Sequence, residues 1–194
     1  MRRLTAFYYE QKKQIMKKLF LLTAIAGIFA FSNVSAQTKD VAMSGQKLGI
    51  GADFAFPTGD FGDVAKMGYG GSLQFQTPIA SKLNFTASAG YLNFQGKDFT
   101  VGNVTFDGGN AGFIPVKAGV RYFLAENFYA GGELGASFGT EDGAGTAFVY
   151  TPNIGVEFPV ADKSTIDLGA RYEAWSNDGT LRFFGLRLAY NFGL

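Results

Sequence analysis

From Lys47 to Phe192, apolar side chains recur at every second position. Leu48, Ile50, Ala52, Phe54 and Phe56 alternate with Gly49, Gly51, Asp53 and Ala55, giving one apolar face and one small or charged face, as a strand requires. The same period predicts seven further strands, over 69–75, 83–91, 114–122, 128–138, 148–158, 166–174 and 184–192. None carries a helical stripe, so the chain reads as all-β. The connections alternate in length. Long polar or glycine-rich segments at 57–68, 95–112, 139–146 and 176–180 follow the odd strands, and short ones at 78–82, 125–127 and 159–164 follow the even strands. Long loops at one end and tight turns at the other predict an eight-stranded antiparallel up-and-down barrel.

The next question is which face of this barrel is wet. A soluble barrel of the lipocalin kind buries its bulky apolar residues and shows charge outside. Here the charged positions share their parity with Gly, Ser and Ala, which suit the cramped interior of eight strands. The bulky Phe, Leu and Tyr face then lies outside, an arrangement that makes sense in lipid. Closure follows from the same solvent, because an open sheet edge in hydrocarbon leaves backbone groups unpaired. Pro115 and Pro152 fall inside strands, and the sequence places both near the long-loop end.

The amino terminus reads as an address. Lys17 and Lys18 precede an apolar run over 19–31, and Val34-Ser35-Ala36 has the small-residue pattern of a signal-peptidase site, so residues 1–36 are expected to be a cleaved secretory signal. The run is too short for a spanning helix of about 20 residues, which makes a retained anchor the weaker alternative. Met16 is a second candidate start. Residues 37–46 form a short periplasmic lead, and 47–194 the barrel domain. Removing 1–36 takes away six basic residues and one acid, so the remaining 158 residues carry 11 basic against 15 acidic side chains. Such a surface does not neutralise a phosphate backbone, and no nucleic acid is expected as a partner. The chain has no His and no Cys. Serine and cysteine triads and thiolate metal sites are therefore excluded, and no catalytic, cofactor or metal site is expected.

The signal segment, the eight alternating strands, the loop asymmetry and the closing stretch Gly185-Leu-Arg-Leu-Ala-Tyr-Asn-Phe192 together resemble the small outer-membrane β-barrels of the OmpA/OmpX type, over residues 47–192. The closing stretch looks like that family's carboxy-terminal strand signal, with Gly193-Leu194 added after the usual terminal aromatic. The resemblance implies a monomer in the outer membrane of a Gram-negative bacterium, in contact with lipid and with the insertion machinery during assembly. Enzymatic barrels of this kind are expected to use His, so the resemblance does not imply an enzyme.

On inward parity the strands collect Asp53, Lys117, Arg121, Glu133, Glu157, Asp167, Arg171, Glu173 and Arg187. Five acids against four bases suggest paired networks that plug the lumen. A narrow ion path is the alternative, and acid–base work by Glu157 and Asp167 is a formal third. Trp175 and Phe183 also point inward at the long-loop end, placed to cap the lumen. Outward aromatics fall into two sets, one near each barrel end, as interfacial girdles do. The second long loop has its own alternation about Gly102-Asn103. A type II′ hairpin there puts Phe99 with Phe106 and Val101 with Val104 on one face. That face either docks a surface ligand, whose identity the sequence leaves open, or folds over the barrel mouth.

Overall fold

A computed structural model describes residues 45–141, 143–177 and 179–194; the expected signal at 1–36 and nearly all of the lead at 37–46 lie outside the described residues. The elements are β1 (Lys47–Thr58), α1 (Asp60–Val64), β2 (Ala65–Ala80), β3 (Leu83–Gly96), β4 (Phe99–Val101), β5 (Val104–Phe106), β6 (Asn110–Phe123), β7 (Phe128–Gly139), β8 (Thr146–Ala161), β9 (Ser164–Ser176) and β10 (Thr180–Gly193). Eight strands close an antiparallel barrel in the order β1, β2, β3, β6, β7, β8, β9, β10. The eight predicted strands are all present. β4 and β5 make a separate two-stranded sheet in the second long loop.

The strands run further into the long-loop end than the alternation suggests. β2 begins at Ala65, four residues before the alternation starts, and β3 continues to Gly96. The first loop also contains a short helix, α1, whose one buried side chain is Phe61.

All five prolines sit where the hydrogen-bond ladder is already open, because each lacks the donor a ladder needs. Pro78 and Pro159 border register shifts at the short-turn end. Pro57 lies past Ala55, the last β1 residue paired with β2. At Pro115 the β3–β6 pairing skips from Ala89↔Val116 to Leu92↔Phe113. At Pro152 the β8–β9 pairing skips from Tyr150↔Ala174 to Asn153↔Arg171. Pro152 faces Gly132 near the middle of the wall, not at the loop end as expected. The other face of β8 keeps its full ladder to β7, so a single interruption is accommodated there.

Leu48, Ile50, Leu73, Leu134, Ile154, Leu168, Leu186 and Leu188 are all exposed on the outer wall. Phe54, Phe56, Tyr69, Tyr91, Phe138, Phe148 and Phe184 ring its loop end, while Tyr122, Phe128, Phe158, Tyr190 and Phe192 ring its turn end; Phe75 and Phe85 of the latter set are half-buried between neighbours.

Candidate functional site

Period two sends alternate residues of each strand into the lumen, and because small residues flank the charged ones, long side chains from opposite walls can meet. All nine predicted lumen residues point inward and join one network. Arg121 reaches Glu157 at 2.6 Å and Asp167 at 2.9 Å from the same nitrogen. Arg187 stands 3.7 Å from Asp167 and donates from Nε to Ser72 Oγ at 3.0 Å, and Ser72 donates to Asp53 at 2.6 Å. Arg171 pairs with Asp53 and with Glu173, each at 2.6 Å. Lys117 lies 2.6 Å from Glu173 and 3.6 Å from Glu133. Glu133 accepts from Gln74 and Thr86, both at 3.1 Å, and Gln74 accepts from Arg121 at 3.1 Å, which closes the circuit. In register Glu133 faces Gly119, and its carboxylate leans along the wall to reach Lys117.

The inward alternation missed a tenth member. Lys47, the first residue of β1, is buried and donates to Glu157 at 2.7 Å. It raises the count to five bases against five acids, so the network carries no net charge. Tyr129 was also missed: its ring lies 3.7 Å beneath the Arg121 guanidinium and its hydroxyl donates to Asp167 at 2.7 Å. An aromatic on inward parity beside a strand's arginine was the available signal.

The pair Glu157 and Asp167 stand opposite each other in register. Their four oxygens accept from Arg121, Lys47, Thr165 and Tyr129. Carboxylates clasped on both edges hold structure; neither presents a lone pair to a reacting group.

Above the network the lumen turns apolar. Phe94 is the hub, with ring centroids 4.9 Å from Phe61, 5.8 Å from Trp175 and 5.3 Å from Phe183. Leu92, Val149 and Ala55 pack with them, all at most 2% exposed. Trp175 and Phe183 thus cap the lumen from the inward positions the sequence assigned them. The hub lay past the predicted end of its strand. Trp175 Nε1 donates to Glu173 at 2.7 Å, tying cap to network.

Outside the wall, the β4–β5 hairpin pairs Phe99 with Phe106 and Val101 with Val104, and the two phenyl rings stack at 5.3 Å. Gly102 adopts a φ of 64° while Asn103 stays at negative φ, as a type II′ turn requires. Phe99, Val101, Val104 and Phe106 are all exposed. The hairpin's root is tied to the first loop: Lys97 donates from Nζ to the Gly62 carbonyl at 2.6 Å, and Lys66 pairs with Asp98 at 3.2 Å. The Asp98 carboxyl is held below its usual range by that bond to Lys66 and by the Gly108 amide.

No protein-family model and no curated protein matches the sequence. Solved structures do match its fold. Neisserial surface protein A aligns at 15% identity over 78% of this chain and 98% of its own, with a TM-score of 0.56. OprG from Pseudomonas aeruginosa aligns at 12% identity over 78% and 97%, with a TM-score of 0.56. Ail, the attachment invasion locus protein of Yersinia pestis, solved with the heparin analogue sucrose octasulfate, aligns at 19% identity over 77% and 100%, with a TM-score of 0.52. The closed wall, its apolar outer face and these likenesses define the class. The chain has the fold of the small eight-stranded outer-membrane β-barrels. Within that class its fold is of the OmpA/OmpX type.

Proposed function

We propose that this chain is a structural or cell-surface interaction protein of the outer membrane of a Gram-negative bacterium, with a lumen that does not conduct ions. The observation that carries the reading is the neutral, closed network of Asp53, Glu133, Glu157, Asp167 and Glu173 with Lys47, Lys117, Arg121, Arg171 and Arg187, roofed by aromatic side chains. Eight strands leave an interior that side chains fill, whereas porins with an aqueous channel use about 16–18. Catalysis is not part of the reading, since the chain has no His and its candidate carboxylate pair is fully engaged. Residues 1–36 serve as the export signal, the insertion machinery assembles the barrel, and the protein works as a monomer.

The surface part of the reading rests on the exposed apolar hairpin face of Phe99, Val101, Val104 and Phe106. Ail was solved with a sulfated sugar, but a polyanion suits this chain poorly. Its long loops carry Asp60, Asp63, Asp98, Asp107, Glu141, Asp142 and Asp178 against Lys66 and Lys97, with Arg182 near the start of β10. Such an acidic rim repels sulfate, so the fitting surface ligand is apolar or basic.

Planar-bilayer recordings of the purified chain test the sealed lumen. No resolved openings are expected, and sustained, well-resolved openings would replace this reading with a narrow pore.

A further inference from the structure

Arg182 stands apart from the other bases of the barrel. It shares the outward parity of Phe184, Leu186 and Leu188 on β10, and it is exposed. Register sets it between Thr58 of β1 and Ala174 of β9, at the loop end of the wall. Its backbone carbonyl accepts from the Thr58 hydroxyl at 3.2 Å, which fixes the strand end but leaves the guanidinium unengaged. Lys66 is paired with Asp98, and Lys97 donates to Gly62. Among the described residues, Arg182 is therefore the loop-end base whose charge no ion pair or side-chain hydrogen bond answers.

Below it the outer wall is aromatic. Tyr150, Tyr172 and Phe184 run side by side across β8, β9 and β10, with ring centroids 6.5 Å and 5.5 Å apart. Ala174 lies in register with both Tyr150 and Arg182 and is 0% exposed despite its outward parity, so the long side chains beside it close over the wall. Rings that carry hydroxyls mark the level where hydrocarbon meets headgroups. Arg182 stands just above that level, a cation facing sideways into the lipid.

Further down the same strands a groove of about 340 Å³ runs along the outer wall, bounded by Phe54, Leu168, Leu186 and Leu188, with the small Ala170 among them. Leu186 is about 13 Å below Arg182 along the strand, or about 10 Å along the membrane normal at a tilt of about 40°. The groove thus lies at acyl-chain depth beneath a cation at headgroup depth. Apolar surface alone accepts any chain. A guanidinium without a counter-ion at its head selects one that carries a phosphate with net negative charge, whose oxygens match the paired N–H donors. The acids of the long loops belong to segments beyond the strand ends. They meet a polyanion arriving from the medium, whereas a lipid arrives sideways within the membrane.

We propose that the outer wall of β1, β9 and β10 binds one anionic phospholipid, with its phosphate on Arg182 and an acyl chain in the groove over Ala170. The site rests on the membrane placement proposed above. It is tested by NMR of the full barrel in phosphatidylcholine nanodiscs with a rising fraction of phosphatidylglycerol, reading the Arg182 Nε–H and the methyl groups of Leu168, Leu186 and Leu188. Saturating shifts are expected at these groups, while Leu134 on the β7 wall drifts linearly. Arg182→Gln should raise the midpoint by about fivefold or more, and Ala170→Phe, checked for strand content, should remove the saturating methyl shifts.

Shifts that are linear and alike over the whole wall, or that survive unchanged in Arg182→Gln, overturn the site. Saturating methyl shifts in folded Ala170→Phe overturn the groove as the seat of the chain. The same Arg182 shifts on adding inorganic phosphate to pure phosphatidylcholine discs overturn the lipid in favour of a free anion. Absence of lipid-methylene cross-peaks at Leu134 as well as at Leu168 shows instead that the membrane placement itself has failed.

Discussion

Arg121 binds Gln74, Gln76, Glu157 and Asp167 and stacks on Tyr129, so it ties its own strand β6 to β2, β7, β8 and β9 at once. Removing one partner of a buried ion pair leaves the other charge uncompensated, which costs about 3–5 kcal/mol. Arg121→Ala is therefore expected to lower stability by about that much, read as a shift in a denaturant titration of the barrel in lipid vesicles. Its role was legible because it lies between Val120 and Tyr122, where the alternation is unambiguous. Lys47 was not legible. Its parity follows from Gly49, Gly51 and Asp53, but it opens its strand, and alternation alone does not show that a side chain at the strand's boundary still lies within the lumen.

Within strands, backbone spacing decides which glycines matter. A Cβ on Gly119 would run into the carbonyl oxygen of Gly132 and lie 2.6 Å from the Glu133 Cα, whereas one on Gly132 meets nothing within 4 Å. Gly119→Ala should destabilise by about 1–3 kcal/mol, as overpacking does. Gly132→Ala should be neutral or stabilising by about 0.5–1 kcal/mol, since a strand glycine gives up that much entropy. Thermal unfolding of the two variants side by side distinguishes them.

The hairpin root responds to pH through Asp98. Its carboxyl titrates below the usual value because Lys66 and the Gly108 amide bind the charged form. A lowered folded value means the tie is fully present above about pH 4, the ordinary range for Asp, and is lost as pH falls through the lowered value. Amide exchange at Phe99–Phe106 should stay constant from neutral pH to about 5 and then accelerate below about 4, after correction for intrinsic rates. Lys66→Met should weaken the tie already at neutral pH. The hairpin was readable from its near-palindromic sequence. The cap was not: beyond Tyr91 the inward positions change from polar to Leu92 and Phe94 while the outward ones become Asn93 and Gln95, so the apolar parity inverts where the strand in fact continues.

For the barrel as a body in lipid, the test is its sidedness. Leu168 is exposed on the outer wall, and a charge there enters hydrocarbon, at a cost of about 2–4 kcal/mol near the midplane. Leu168→Arg should show that loss in lipid vesicles. Gly169→Ser, one residue along and facing the lumen, should cost far less, since a Cβ there comes no closer than 3.0 Å, to the Tyr129 hydroxyl. The reverse order would turn the barrel inside out. Strand number and loop asymmetry were legible because bilayer crossing forces a repeat on the whole chain. Side-chain partners across the lumen were not, because they join residues as far apart as Arg171 and Asp53 that no local period relates.

The seam between β1 and β10 sets the order of assembly. Every other barrel pair joins consecutive wall strands and can form once its second strand is available. The seam joins Lys47 to Gly193, the two ends of the wall, and so waits for the last strand. Contacts of such sequence separation are the slowest to form. Until then both edges of the sheet face lipid with unpaired amides and carbonyls, so the unclosed sheet has no resting place in the bilayer. Insertion and closure are therefore expected to be coupled, with the β1–β10 seam the last pairing to form.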